Sequence, residues 1–151
     1  MSRIVIRRAV KRDGTSFLSL INALADFEKL KRPTQAARAR LLRDAFSGKK
    51  RFDVFLATVH SKAVGYAIIF ETYSSFRALP TLYLEDLFVL PEFRKQRIGL
   101  KLFRTCLAEA RKRTCGRMEW MVLEWNVNAI RFYKKLKAKH MKEWLLYRID
   151  L

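Results

Sequence analysis

The chain has 151 residues, half of them hydrophobic and 13% aromatic, with three prolines, five glycines and a formal net charge of +18. That length and apolar content suit a single domain, 1–151, with a full core, and they exclude a disordered or low-complexity chain. No apolar run reaches 18 residues, which excludes a membrane-spanning helix, and the start Met1-Ser2-Arg3-Ile4-Val5-Ile6-Arg7-Arg8 lacks the apolar stretch of a secretory signal, so the expected location is the cytoplasm.

In chain order, Ile4-Val5-Ile6 reads as a first strand. Asp13 or Thr15 can cap a helix running to about Glu28, with Phe17, Leu18, Leu20, Ile21, Leu24 and Phe27 as its apolar stripe. Pro33 and Thr34 start a second helix that ends near Gly48. Residues 52–60 and 63–72 read as strands joined by a short polar turn. Residues 74–80 read as a loop, and 82–90 as the central strand. A helix follows over 98–112, where Leu102, Phe103, Cys106, Leu107 and Ala110 recur at helical spacing and leave Lys101, Arg104, Arg111 and Lys112 mainly outside. Residues 118–124 read as a strand, 128–136 as a helix and 141–149 as a last strand. Strands and helices mixed in this order fit an α/β layer domain.

Cys106 and Cys115 make neither a disulfide framework nor a zinc site, and Cys106 reads as a small core residue. His60 and His140 lie far apart with no ligand-like neighbours, so no metal site is expected. Basic residues outnumber acidic ones 32 to 14 and are spread along the chain. Their field suits a polyanion such as nucleic acid, a ribosome or an anionic cofactor, or is a solvated surface with no partner.

The chemistry concentrates in Tyr83-Leu84-Glu85-Asp86-Leu87-Phe88-Val89 and the residues that follow, Leu90-Pro91-Glu92-Phe93-Arg94-Lys95-Gln96-Arg97-Ile98-Gly99. An apolar strand carries two adjacent carboxylates, enters a basic turn and continues as a helix. Unpaired N–H groups and the helix dipole converge at such an N-terminus and make an anion site. Strand alternation places Glu85 and Asp86 on opposite faces, which assigns them different tasks.

This stretch resembles the central motif of the GNAT acetyltransferases, Arg/Gln-x-x-Gly-x-Gly/Ala. Within that superfamily, Tyr-Leu-Glu-Asp-Leu-Phe-Val resembles the spermidine/spermine N-acetyltransferase group, which includes thialysine acetyltransferases. Two further matches are Glu124-Trp125-Asn126 with Asn128-Ala129-Ile130-Arg131-Phe132-Tyr133-Lys134-Lys135, and Ala25-Asp26-Phe27-Glu28. Together they span most of the chain. The resemblance implies a mixed, mainly antiparallel sheet flanked by helices. Two parallel strands, one on each side of the 98–112 helix, would splay apart to admit acetyl-CoA, with coenzyme A as product. It also implies a homodimer.

By the same resemblance, Arg94, Lys95, Gln96, Arg97, Ile98 and Gly99 would hold the pyrophosphate. Backbone N–H groups around Leu87, Phe88 and Val89 would contact the thioester, and Asn126 would contact the cofactor, with Asn128 a second candidate. Relatives usually carry glycine where this chain has Arg97, and often where it has Lys95. A left-handed backbone there would strain these side chains. Amine acetylation needs a proton removed from the ammonium, a polarised thioester and a stabilised thiolate. Glu85 is the candidate base, through a water, and Tyr133 the candidate general acid. Phe27, Glu28, Glu85 and Asp86 would bind the acceptor, a small primary amine such as a diamine, a polyamine or thialysine. Phe27 stands where some relatives have tyrosine. Two other readings stay open: a protein N-terminal or lysine acetyltransferase, and a nucleic-acid-binding module with degenerate catalysis.

Overall fold

The computed structural model describes residues 3–151, which form two compact units, one ending at Trp120 and one comprising Met121–Leu151. The first unit contains β1 (Ile4–Arg8), α1 (Gly14–Phe27), α2 (Gln35–Phe46), β2 (Asp53–Val59), β3 (Lys62–Ser74), β4 (Leu79–Val89), α3 (Ile98–Lys112) and β5 (Arg117–Glu119). The second contains α4 (Val127–Lys135).

The five strands form one sheet in the order β1-β2-β3-β4-β5. The first three pairings are antiparallel and the last is parallel. This is the expected mixed sheet. The parallel pairing joins only Thr81 to Arg117, Leu82 to Met118 and Tyr83 to Glu119. Beyond Tyr83, β4 is paired on the β3 side alone.

One sheet face is buried by α1 and α2. Phe17, Leu20 and Ile21 of α1 and Ala45 of α2 pack there with Val54 and Leu56 of β2, Tyr66 and Ile68 of β3, and Phe88 of β4. α3 covers β3 and β4 on the other face, with Leu102 and Cys106 fully buried, so Cys106 is the small core residue its spacing predicts. At the rim, Arg8 and Arg113 both bridge Asp53 and Glu109 at 2.6–2.9 Å, tying β1, the start of β2 and the end of α3.

Local signals decide the ends of these elements. α2 starts where the sequence places it, and the Thr34 hydroxyl caps it by accepting from the Ala37 N–H at 3.1 Å. Asp13 precedes α1 but does not cap it. Its carboxylate is taken by both terminal nitrogens of Arg7 at 2.7 and 2.8 Å and by the Val10 N–H at 2.7 Å. The 74–80 loop shrinks to a four-residue turn because Ser74 already pairs with Leu79.

Two strand readings are corrected. The strand expected over 118–124 is Arg117–Glu119, and residues 141–149 form no strand. Leu145, Tyr147 and Ile149 are exposed. Sequence supplies the β-propensity of such a segment, but a neighbouring edge must supply its pairing. No helix among the described residues is long and apolar enough to cross a membrane.

Gly65 sets how closely β3, β4 and α3 approach. A Cβ there would stand 2.8 Å from the Phe88 carbonyl oxygen, 3.2 Å from Val89 Cγ2 and 3.4 Å from Leu102 Cδ1. The backbone oxygen cannot yield cheaply. Gly65→Ala is therefore expected to destabilise the fold by about 1–3 kcal/mol and to lower Tm by several degrees, read by thermal melting.

Candidate active site

The central feature lies in β4. Ile68 pairs with Asp86 but the next residue, Ile69, pairs with Leu84, so Glu85 is one extra residue and forms a β-bulge. Tyr83 lies on the α1 side, its ring 5.3 Å from that of Phe70. Leu84 then takes the α3 side opposite Ile69. Without the bulge Asp86 would follow Leu84 to that side. With it, Asp86 turns back to the α1 side. There the Tyr66 hydroxyl donates to Asp86 Oδ2 at 2.9 Å.

This corrects the simple alternation argument, in which Glu85 and Asp86 face apart. Both carboxylates act on the same neighbours. Burial pushes the Asp86 carboxyl up from 3.8 to about 6; the Tyr66 hydrogen bond opposes this, and the charges of Glu85 and Glu28 add to it. Glu28, at the end of α1, is also raised, by burial and then by Glu85. Burial, then Asp86, raises the Tyr66 phenol well above its ordinary value. Among the described residues, none of the three carboxylates joins an ion pair, in a chain that carries 32 Lys and Arg residues.

Arg94 stands at the start of the basic turn but faces inward. Its Nε donates to the Val89 carbonyl at 2.9 Å, and its guanidinium lies 4.6 Å from the Phe27 ring centre and 5.5 Å from that of Phe88. Burial lowers its pKa. Phe27, where some relatives have tyrosine, thus offers its ring face to a cation. Arg94 links the acid-bearing bulge to the anion loop.

The loop backbone has the strain the sequence raises as a question. Lys95 has φ +62° and Arg97 has φ +63°, both left-handed, at the two positions where relatives favour glycine. Each costs roughly 1 kcal/mol. The first helical bond of α3 runs from the Lys101 N–H to the Arg97 carbonyl at 3.0 Å, so the N–H groups of Ile98, Gly99 and Leu100 precede the helical ladder. Lys95, Gln96 and Arg97 are exposed. A Cβ on Gly99 would meet only Val89 Cγ2 at 3.9 Å, so space is open above the loop. Exposed cations, an uncapped helix start and open space fit a phosphate group.

Phe88 and Val89 are buried, and Leu87 is half-buried. Among the described residues of this unit, the β4 edge that carries residues 84–89 has no partner strand. In the second unit, Asn126 Oδ1 accepts from the Ala129 N–H at 3.2 Å and caps α4. Tyr133 is half-buried on α4, its ring 5.3 Å from that of Phe132. Tyr66 was missed by sequence reasoning. Its signal was a lone phenol within Val64-Gly65-Tyr66-Ala67-Ile68-Ile69, where a buried hydroxyl needs a partner.

The site is thus a mixed sheet whose bulged strand β4 runs into a basic helix start. Residues 17–137 match the acetyltransferase (GNAT) family. A thialysine N-epsilon-acetyltransferase from Mus musculus is 30% identical over 161 aligned positions, covering 99% of this chain and 94% of the mouse enzyme. An L-ornithine N5-acetyltransferase from Arabidopsis thaliana is 37% identical over 107, covering 71% of this chain and 44% of the plant enzyme. An integron cassette protein from V. cholerae superposes with a TM-score of 0.84 at 26% identity, covering 97% of this chain and 92% of that one. The chain belongs to the GNAT acetyltransferase family; it is an acyltransferase, and its acetyl donor is acetyl-CoA.

Two outcomes follow from the strained and buried groups. Because the folded-state pKa of Asp86 is raised, its ionisation opposes folding; stability present below about pH 4 is lost as pH rises through about 6. Asp86→Asn keeps an acceptor for Tyr66, and urea unfolding at pH 8 should show a gain of as much as about 3 kcal/mol, with none at pH 4. Arg97→Gly should leave stability equal or higher by up to about 1 kcal/mol. It should also raise the KM for acetyl-CoA severalfold at low salt, with the difference fading at high salt.

Proposed function

We propose that this acetyltransferase acetylates the primary amine of a small molecule: a diamine, a polyamine or a thialysine-like amino acid. The observation that carries this reading is the trio Glu28, Glu85 and Asp86, three carboxylates without cationic partners in a chain of net charge +18. Each raises the pKa of a neighbour, so an arriving ammonium relieves a repulsion already present. The names of the mouse and plant relatives point to amine-bearing amino acids.

In this reading both units act as one domain over 1–151, which the family match across 17–137 supports. Acetyl-CoA supplies the acetyl group as a thioester. The N–H groups and cations of 94–99 hold its phosphates, and Arg94 braces the loop against Phe27 and Phe88. Backbone N–H groups of residues 87–89, on the open β4 edge, polarise the thioester carbonyl. Glu28 and Asp86 hold the ammonium end of the acceptor that does not react. Glu85, the exposed bulge residue, takes the proton of the reacting amine through a water. Tyr133 returns a proton to the departing thiolate, and Asn126 contacts the cofactor, both by their place in the family pattern. The same pattern carries the expectation of a homodimer, tested by light scattering.

The deciding experiment is thiol release from acetyl-CoA with diamines, polyamines, thialysine, ornithine, lysine and short peptides as acceptors. Turnover confined to the small amines is expected, and turnover on peptides alone would overturn the reading. Glu85→Gln and Tyr133→Phe are each expected to lower kcat by about 10²-fold or more. Full turnover in both variants would remove the mechanism.

A further inference from the structure

Among the groups around the bulge, Tyr66 has no part in the chemistry above and is fully buried. It sits opposite Phe88 in the β3–β4 register, and Asp86 sits opposite Ile68, so the two are diagonal neighbours on one face. Its ring is held by edge-on contacts with Phe17 at 5.8 Å and Phe88 at 6.4 Å. Its hydroxyl points at one oxygen of Asp86, 2.9 Å away. A core phenol packed between two rings thus ends on a carboxylate at the rim of the proposed acceptor site.

We propose that Tyr66 is a positioning residue for acceptor binding, fixing Asp86 through this hydrogen bond and keeping it an anion that can capture an ammonium. The proposal rests on the acceptor reading above. It follows from the charges that surround Asp86. From its own strand comes Glu85, from the end of α1 comes Glu28, and both are acidic. Tyr83, also on β4, lies within range of Asp86 as a neutral phenol. Arg94, on the loop after β4, is turned to the Phe27 and Phe88 rings. Burial and two like charges all favour the neutral acid, and among the described residues Tyr66 is the one group that favours the anion. The Tyr66 phenol stays protonated throughout the working range, so it is always a donor. The arrangement gives a binding group that is ionised near neutral pH yet, among the described residues, unpaired by any cation.

The test is Tyr66→Phe, read in two ways. In the free protein, the Asp86 carboxyl carbon is titrated by ¹³C NMR. Loss of a hydrogen bond to a charged group should raise the Asp86 pKa by about one unit or more above its wild-type position. In turnover, the acid limb of kcat/KM for a diamine should move up by the same amount. A shift of that size lowers kcat/KM about five- to tenfold at pH 6 and leaves it near wild type at pH 8.5. If the phenylalanine variant does not fold, 3-fluorotyrosine at position 66, a stronger donor of nearly the same shape, should move both readings the opposite way. An Asp86 titration unchanged in the variant overturns the proposal, and so does a loss of kcat/KM that is uniform across pH. A wild-type protein that acetylates no amine defeats the acceptor reading instead, and the NMR titration tells that failure apart because it needs no substrate.

Discussion

One extra residue in β4 organises the acid side of this molecule. A regular strand would send Leu84 and Asp86 to the same face, and α3 makes that face apolar. The bulge at Glu85 lets Leu84 stay under α3 while Asp86 turns to the opposite face, where Tyr66 receives it. The inserted residue is itself a carboxylate and remains exposed. Three acids thereby gather at the end of α1 without any of them displacing a core side chain.

The basic loop is built on the same strand and answers to a different force. Arg94 secures the last carbonyl of β4 and lies over two rings that belong to the acid side. The turn beyond it forces Lys95 and Arg97 into left-handed backbone. Glycine would adopt that conformation more cheaply, but it would bring no charge. Within a dozen residues the chain thus separates a cation-seeking cluster from an anion-seeking one. The global field of +18 favours an anionic cofactor at long range. The proposed acceptor site rests on local carboxylates that, among the described residues, no cation pairs with.

The stability terms point the same way. Asp86 is held part-way to neutral by burial and by its acidic neighbours, and two loop residues sit outside the comfortable backbone region. Such departures concentrate where a ligand is expected to contribute the missing partner. Away from the site the chain is conventional. Gly65 sits where β3, β4 and α3 approach closely, and Arg8 and Arg113 close a buried-edge ion network around Asp53 and Glu109.

Periodicity and punctuation were enough for α1, α2, α3 and the first four strands, because each has a long apolar stripe or a clear turn at its end. The helix over 98–112 agrees residue for residue. The motif Tyr83–Gly99 was legible as a strand that runs through a basic turn into a helix, and so was the tension of large side chains at positions 95 and 97. The strand expected at 141–149 failed, since β-propensity alone does not make a strand. Asp13 as a helix cap failed because Arg7, six residues upstream, competes for the carboxylate more strongly than an N–H does. The sequence by itself determined the family, through its motifs, and the helices and strands with long apolar stripes, since these depend on residue type and local period. Only the tertiary structure decided that Asp86 faces Tyr66 and that Arg94 turns inward. A bulge is a mismatch between two strands, and neither strand encodes it alone.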